Sequence, residues 1–183
     1  MKKVFFGGSR KLGRLNKELR ERIDKVINQN FLVLLGDANG ADRAFQQYLT
    51  EKSYQNVLVF CAGDTCRNNV GGWKTRHVSL ERCQKNFQYY AARDKEMSEE
   101  ADYGFMLWDG KSKGTLNNIV NMLERDKSVL VYFSLKKLFF TLKSRDDLSG
   151  ILSYCDRQSL AQLEDSLKLN KRIRHNQPQL KFG

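Results

Sequence analysis

The chain has 183 residues, a formal charge of +11, four cysteines and the apolar content of an ordinary globular protein. That length accommodates one core-bearing domain with at most a small appendage. The charge points to phosphate-bearing partners, from nucleotides to nucleic acid, without choosing among them, and no apolar run approaches the length that spans a bilayer.

Val4-Phe5-Phe6 reads as a first strand. It follows the N-terminus without a secretory apolar region, so we expect a cytoplasmic chain with no membrane partner. Gly7-Gly8-Ser9-Arg10 is a first glycine loop. Leu15, Leu19, Ile23, Val26 and Ile27 then form one stripe of an amphipathic helix whose other faces carry Lys17, Glu18, Arg20, Glu21 and Arg22. The apolar run Phe31-Leu32-Val33-Leu34-Leu35 is a second strand. It leads into Gly36-Asp37-Ala38-Asn39-Gly40-Ala41-Asp42-Arg43 and a helix over 42–51. Val57-Leu58-Val59-Phe60 is a third strand, followed by an irregular stretch over 61–78 that is too long for an ordinary connection. We read this stretch, with Asp64, Arg67, Trp73, Arg76 and His77, either as a flap over a site or as a disordered excursion.

The pattern turns helical over 80–101, with Phe87, Tyr90, Ala91, Asp94 and Met97 on one aspect. Tyr103-Gly104-Phe105-Met106-Leu107-Trp108 is a fourth strand and Asp109-Gly110-Lys111-Ser112-Lys113-Gly114-Thr115 a third glycine loop. Leu116, Ile119, Val120 and Leu123 mark a further helix, and Val129-Leu130-Val131-Tyr132-Phe133 a fifth strand. Beyond it, Leu138-Phe139-Phe140 adds a short strand, with helical segments over 146–154 and 159–169. The expected organisation is a domain over 1–134 and a helical appendage over 135–183. Its basic tail holds Lys168, Lys171, Arg172, Arg174 and Lys181.

Nearly continuous apolar strands alternating with helices imply an α/β fold, a mainly parallel sheet of at least five strands covered by helices on both faces. In such sheets a ligand crevice lies outside the carboxyl ends of the strands, and all three glycine loops leave from that edge. The first turn of a helix offers unpaired N–H groups and the positive end of the dipole, and glycine lets an anion approach them. Each loop alone could be no more than a tight connection, but three at one edge point to a shared anion site. Cys61, Cys66, Cys83 and Cys155 are spaced too irregularly for a metal knuckle, and in a reducing compartment they are expected as free thiols. We expect no metal and no cofactor. His77 and His175 lack helix-spaced metal partners, and neither a nucleophile-elbow nor a P-loop motif occurs.

Four ordered motifs, Gly7-Gly8-Ser9-Arg10, the 36–43 loop, Arg93-Asp94-Lys95-Glu96-Met97 and the 109–115 loop, resemble the signatures of the YspA-like branch of the SLOG superfamily. That superfamily of Rossmann-like folds includes the lonely-guy cytokinin-activating enzymes and the DNA-processing protein A group. The resemblance covers about the first three quarters of the chain and implies a nucleotide-derived ligand, of ADP-ribose, NAD or nucleoside phosphate type, in a sensor or a recognition module. It implies ligand-binding roles for Gly7, Gly8, Ser9, Arg10, Gly36, Asp37, Gly40, Asp42, Arg93, Asp109, Gly110, Lys111, Gly114 and Thr115. Asp42 reads equally as a ribose acceptor or a helix cap. The lonely-guy enzymes carry GGxGTxxE where this chain has Asn118, and an amide cannot exchange protons as their glutamate does. Asp109, Glu96 or Asp37 would then have to serve as the acid of an N-glycosidic-bond hydrolase. Single-stranded nucleic-acid binding is the other alternative, and oligomeric state stays open.

Overall fold

A computed structural model describes residues 1–78 and 87–174. Seven strands form one sheet: β1 (Lys3–Gly8), β2 (Leu32–Gly36), β3 (Val57–Ala62), β4 (Lys74–Val78), β5 (Tyr103–Trp108), β6 (Val129–Phe133) and β7 (Leu138–Leu142). Their order is β4-β3-β2-β1-β5-β6-β7. The first six are parallel and β7 runs antiparallel to β6. The helices are α1 (Lys17–Asn28), α2 (Ala41–Glu51), α3 (Phe87–Glu100), α4 (Lys113–Leu123), α5 (Leu148–Leu152), α6 (Arg157–Leu167) and α7 (Leu169–Arg174). None of them is long and apolar enough to cross a membrane.

The period-2 geometry of the strands divides their apolar residues between two cores. Val4, Phe6, Val33, Leu35, Val57 and Val59 face α1 and α2, meeting Leu19, Ile23, Phe45 and Leu49. Phe5, Leu34, Phe60, Met106 and Trp108 face the other way, onto Met97 of α3 and Leu116, Ile119, Val120 and Leu123 of α4. This double burial is why each central strand reads as an unbroken apolar run. Leu148, Ile151, Leu163, Leu167 and Leu169 of α5 to α7 join that second core. Arg172 fastens α7 to α4, donating to both carboxylate oxygens of Glu124 at 2.8 Å and to the side-chain oxygens of Asn117 and Asn121 at 2.9 and 2.7 Å.

Three local expectations are corrected. Gly7 and Gly8 belong to β1, in register with Met106 and Leu107, so the turn begins at Ser9. A Cβ at Gly8 would stand 2.6 Å from the Leu107 carbonyl oxygen and 2.8 Å from the Ala41 Cβ, so glycine here serves close packing of strand, neighbour strand and helix. The 61–78 stretch contains β4, an edge strand that pairs with β3. Its sequence, Lys74-Thr75-Arg76-His77-Val78, is polar because only one edge and part of its faces are covered. Cys61 and Cys66 form a disulfide bond, with Cα atoms 5.0 Å apart, where free thiols were expected. Cys155 is free. The first part of the expected 80–101 helix lies outside the described residues, as do Cys83, His175 and Lys181.

Candidate ligand-binding cleft

The connections from β1 lead through α1 to β2 on one side, whereas β5 leads through α4 to β6 on the other. The direction in which successive strands are added across the sheet therefore reverses between β1 and β5, and a crevice opens at the carboxyl ends of strands at such a switch point. A cleft of about 500 Å³ lies there, built from the ends of β1 and β5, the start of α4, one face of α3, and Ala38 and Asp42 from the β2–α2 connection.

Backbone packing sets the first wall. The Ser9 amide donates to the Leu107 carbonyl at 2.9 Å, and the Ser9 carbonyl accepts from Ala41 at 3.2 Å. Gly40 sits at φ +78°, and a Cβ there would fall 2.2 Å from the Arg10 carbonyl oxygen, so the two loops lie backbone against backbone. The Ser9 hydroxyl, buried, donates to Asp109 Oδ2 at 2.8 Å across the switch point. Asp109 Oδ1 accepts from the Lys111 and Ser112 amides at 3.1 and 2.7 Å, which folds the third loop back on itself. Ser112 caps α4 by accepting from the Thr115 amide at 3.3 Å, and the Thr115 hydroxyl donates to it at 2.9 Å. Among the described residues, and apart from Gly114's chain neighbours and the backbone of α4 itself, nothing lies within 4 Å of where a Gly114 Cβ would stand, so the first turn of α4 is open to the cleft.

Beneath these loops is a buried charged network. Asp37, fully buried, accepts from Arg93 Nη1 at 2.5 Å and from the Arg67 amide, Nε and Nη2 at 3.1, 3.1 and 2.5 Å. Arg93 also donates through Nε and Nη2 to Asp94 Oδ1 at 2.8 and 2.6 Å. Burial pushes the Asp37 carboxyl up, but the Arg67 hydrogen bonds and the Arg93 charge outweigh it and hold the group below the usual carboxylate range. Burial pushes Asp42 up to about 7, against the attraction of Arg93 and with the repulsion of Asp94. Asp42 Oδ2 accepts from the Ala38 amide at 3.2 Å. Arg93 stays charged because Asp94, Asp42 and Asp37 together overcome the desolvation that acts against it.

Asn118, 5% exposed, donates from Nδ2 to Asp94 Oδ2 at 3.0 Å. A carboxylate accepts only, so this contact fixes which way the amide points. Its Oδ1 is the buried side-chain polar atom without a partner among the described residues. The mouth is cationic and aromatic. Arg10, Lys11 and Lys111 are exposed there. Tyr90 carries the Arg10 guanidinium 5.2 Å and the Arg67 guanidinium 4.6 Å from its ring centroid.

Of the residues singled out by sequence, Gly7, Gly8, Ser9, Arg10, Asp42, Arg93, Asp109, Lys111, Gly114 and Thr115 line the cleft. Gly36 ends β2 under Asp42 and Arg93, Asp37 lies below the floor, and Gly40 supports the Arg10 backbone. Gly110 turns its back, its carbonyl accepting from Cys155 Sγ at 3.6 Å. Glu96 is away from the cleft, 3.5 Å from Arg76 of β4. Arg67 of the long connection does reach the site, clamping Asp37. Asp37 also lies within 4.8 Å of the Cys61 and Cys66 sulfurs. Those sulfurs are bonded to each other and the carboxylate to two arginines, so the three are already engaged.

Tyr90 lines the cleft although its spacing with Asp94 and Met97 marks it only as a helix face, and Asp94, which belongs to the third motif without a role of its own there, lines it too. Ser112 announces itself by its position three residues before Thr115, the spacing of a helix cap. Asn117 carries no sequence signal, because its place depends on how α4 turns toward α7.

No protein-family model and no curated protein matches the sequence. Among solved structures, DNA processing protein A from Streptococcus pneumoniae is similar with a TM-score of 0.53 and 16% identity over 71% of this chain, which spans only 50% of that one. DNA processing protein A from Helicobacter pylori, described for its single-stranded DNA binding mode, is similar with a TM-score of 0.57 and 13% identity over 91% of this chain and 80% of that one. At such identities the likeness is one of architecture. The chain has a Rossmann-like fold of the kind seen in DNA processing protein A.

Proposed function

We propose that the β1/β5 cleft binds a nucleotide-derived phosphate compound, such as a nucleoside monophosphate, ADP-ribose or NAD, as a recognition module of the YspA-like kind. The observation that carries this reading is the arrangement of the cleft. A cationic mouth, Arg10, Lys11 and Lys111, stands beside the open first turn of α4 at a topological switch point. A volume of about 500 Å³ suits a mononucleotide. Backbone amides at a helix start and arginine side chains both hold phosphate without reference to the rest of the ligand, and the Tyr90 ring steadies the Arg10 guanidinium at the mouth.

A second reading is favoured by the charge of +11 and by the subject of the Helicobacter structure: the same mouth holds the phosphates of a single strand. Calorimetry on the full chain separates the two. Binding of AMP, ADP-ribose or NAD that persists at high salt supports the small-molecule reading. Binding confined to oligonucleotides, falling steeply with salt, supports the strand. Silence from every ligand would remove both.

A further inference from the structure

We infer that the floor of the cleft selects its ligand by demanding a hydrogen-bond donor, with Asn118 Oδ1 as the acceptor that reads it. This rests on the reading that the cleft holds a nucleotide phosphate at its mouth. Asp94 Oδ2 takes the Nδ2 donor at 3.0 Å and thereby locks the amide with its oxygen turned to the unpaired side. That oxygen is buried and belongs to a residue lining the cleft. A buried acceptor left without a donor destabilises the site, and a ligand N–H or O–H placed against it relieves that penalty.

The neighbouring groups sharpen the demand. Three of the five Arg93 N–H donors are directed at Asp37 and Asp94. Asp42 and Asp94 add carboxyl oxygens to the same lining. A ligand atom carrying only lone pairs would leave Asn118 Oδ1 without a donor, whereas an amino or hydroxyl group would satisfy it. The position fits a nucleotide held by its phosphate. Asn118 lies four residues beyond Gly114 on α4, a rise of about 6 Å into the cleft at 1.5 Å per residue. Both a ribose hydroxyl and the amino group of a base lie below the phosphate, and both present the required donor.

The test is calorimetry on the full chain with AMP, IMP, 2′-deoxy-AMP and 2′,3′-dideoxy-AMP, with inorganic phosphate as a probe of the mouth alone. IMP replaces the AMP amino group by a carbonyl, and the deoxy compounds remove the hydroxyls. We expect either IMP or the deoxy compounds to bind at least tenfold more weakly than AMP, which also says which donor is read. In Asn118→Leu this ratio should collapse to within twofold while phosphate binds as before. Asn118→Ala gives the same comparison without added bulk should the leucine variant not fold. If wild-type protein binds all four nucleotides within twofold, or if the ratio survives in the variants, donor selection by Asn118 is wrong while phosphate binding stands. If neither phosphate nor any nucleotide binds, the nucleotide reading fails and takes this one with it.

Discussion

Replacing Arg93 by methionine tests whether the charged floor is a structural element of the fold. The side chain is 6% exposed and contacts Asp37 and Asp94, whose side chains are 0% and 12% exposed. Methionine fills much of the same volume but leaves Asp37 with Arg67 alone and Asp94 with Asn118 alone. Breaking a buried ion pair by removing one partner costs about 3 to 5 kcal/mol. For a chain of this size that is a loss of roughly 6 to 20 °C in Tm. The pH dependence supplies a second readout. In the wild type the Asp37 carboxyl is held below its ordinary 3.8, so its contribution is present above that value and lost as pH falls through the lower folded one. Without Arg93 the stranded Asp37 carboxylate takes up a proton more readily, so the deficit of the variant should shrink between pH 7 and pH 4.5 or so. Thermal melts followed by circular dichroism at both pH values measure this. A deficit below about 2 °C at pH 7, or one that does not change on acidification, would refute the argument.

Gly8→Ala should lower Tm, since its Cβ would stand 2.6 Å from the Leu107 carbonyl and overpacking costs about 1 to 3 kcal/mol. Gly114→Leu should keep Tm and weaken AMP binding, because Gly114 lines the cleft and its Cβ position is open space among the described residues; calorimetry and melting together check both halves. Burial holds Asp42 at about 7, above its ordinary 3.8. The unfolded chain thus releases that proton first, and stability from this group falls as pH rises from about 4 to 7. Asp42→Asn, which can still accept from the Ala38 amide, should therefore gain Tm over the wild type at pH 8 and lose that advantage near pH 4.

Much of the fold was legible because central strands buried on both faces are apolar without interruption. β5 and β6 were read residue for residue. β4 was not, since an edge strand with Lys74, Arg76 and His77 has the composition of a loop, and only its ladder to β3 reveals it. The meeting of the three loops was legible from strand polarity alone, because parallel strands put all their exits on one edge. The charged floor was not. Asp37 and Asp94 are far apart in sequence, and what joins them is the depth at which α3 crosses β2, which no spacing encodes. Nor did sequence show that Asp109 is spent on loop architecture, because a carboxylate that organises amides and one that moves protons are the same letter.

That distinction decides what the site can do to a ligand. A general acid must have a proton to give and a line to the reacting atom. Asp109 accepts from the Ser9 hydroxyl and two backbone amides, Asp37 from two arginines, and Glu96 lies by β4. Each of the three carboxylates raised by sequence is thus either engaged as a hydrogen-bond acceptor or out of reach. Asp42 differs: it lines the cleft, and burial lets it keep a proton near neutral pH, the condition that a carboxylic acid needs to protonate a leaving group. Its Oδ2 already accepts from the Ala38 amide, and Asn118, which lines the same cleft, supplies no base. We therefore expect wild-type protein to bind AMP without releasing adenine, measured by chromatography over hours. If adenine is released at an ordinary enzymatic rate, the binding reading is overturned, and the geometry says where the acid lies: Asp42→Asn would abolish release, whereas Glu96→Gln would leave it unchanged.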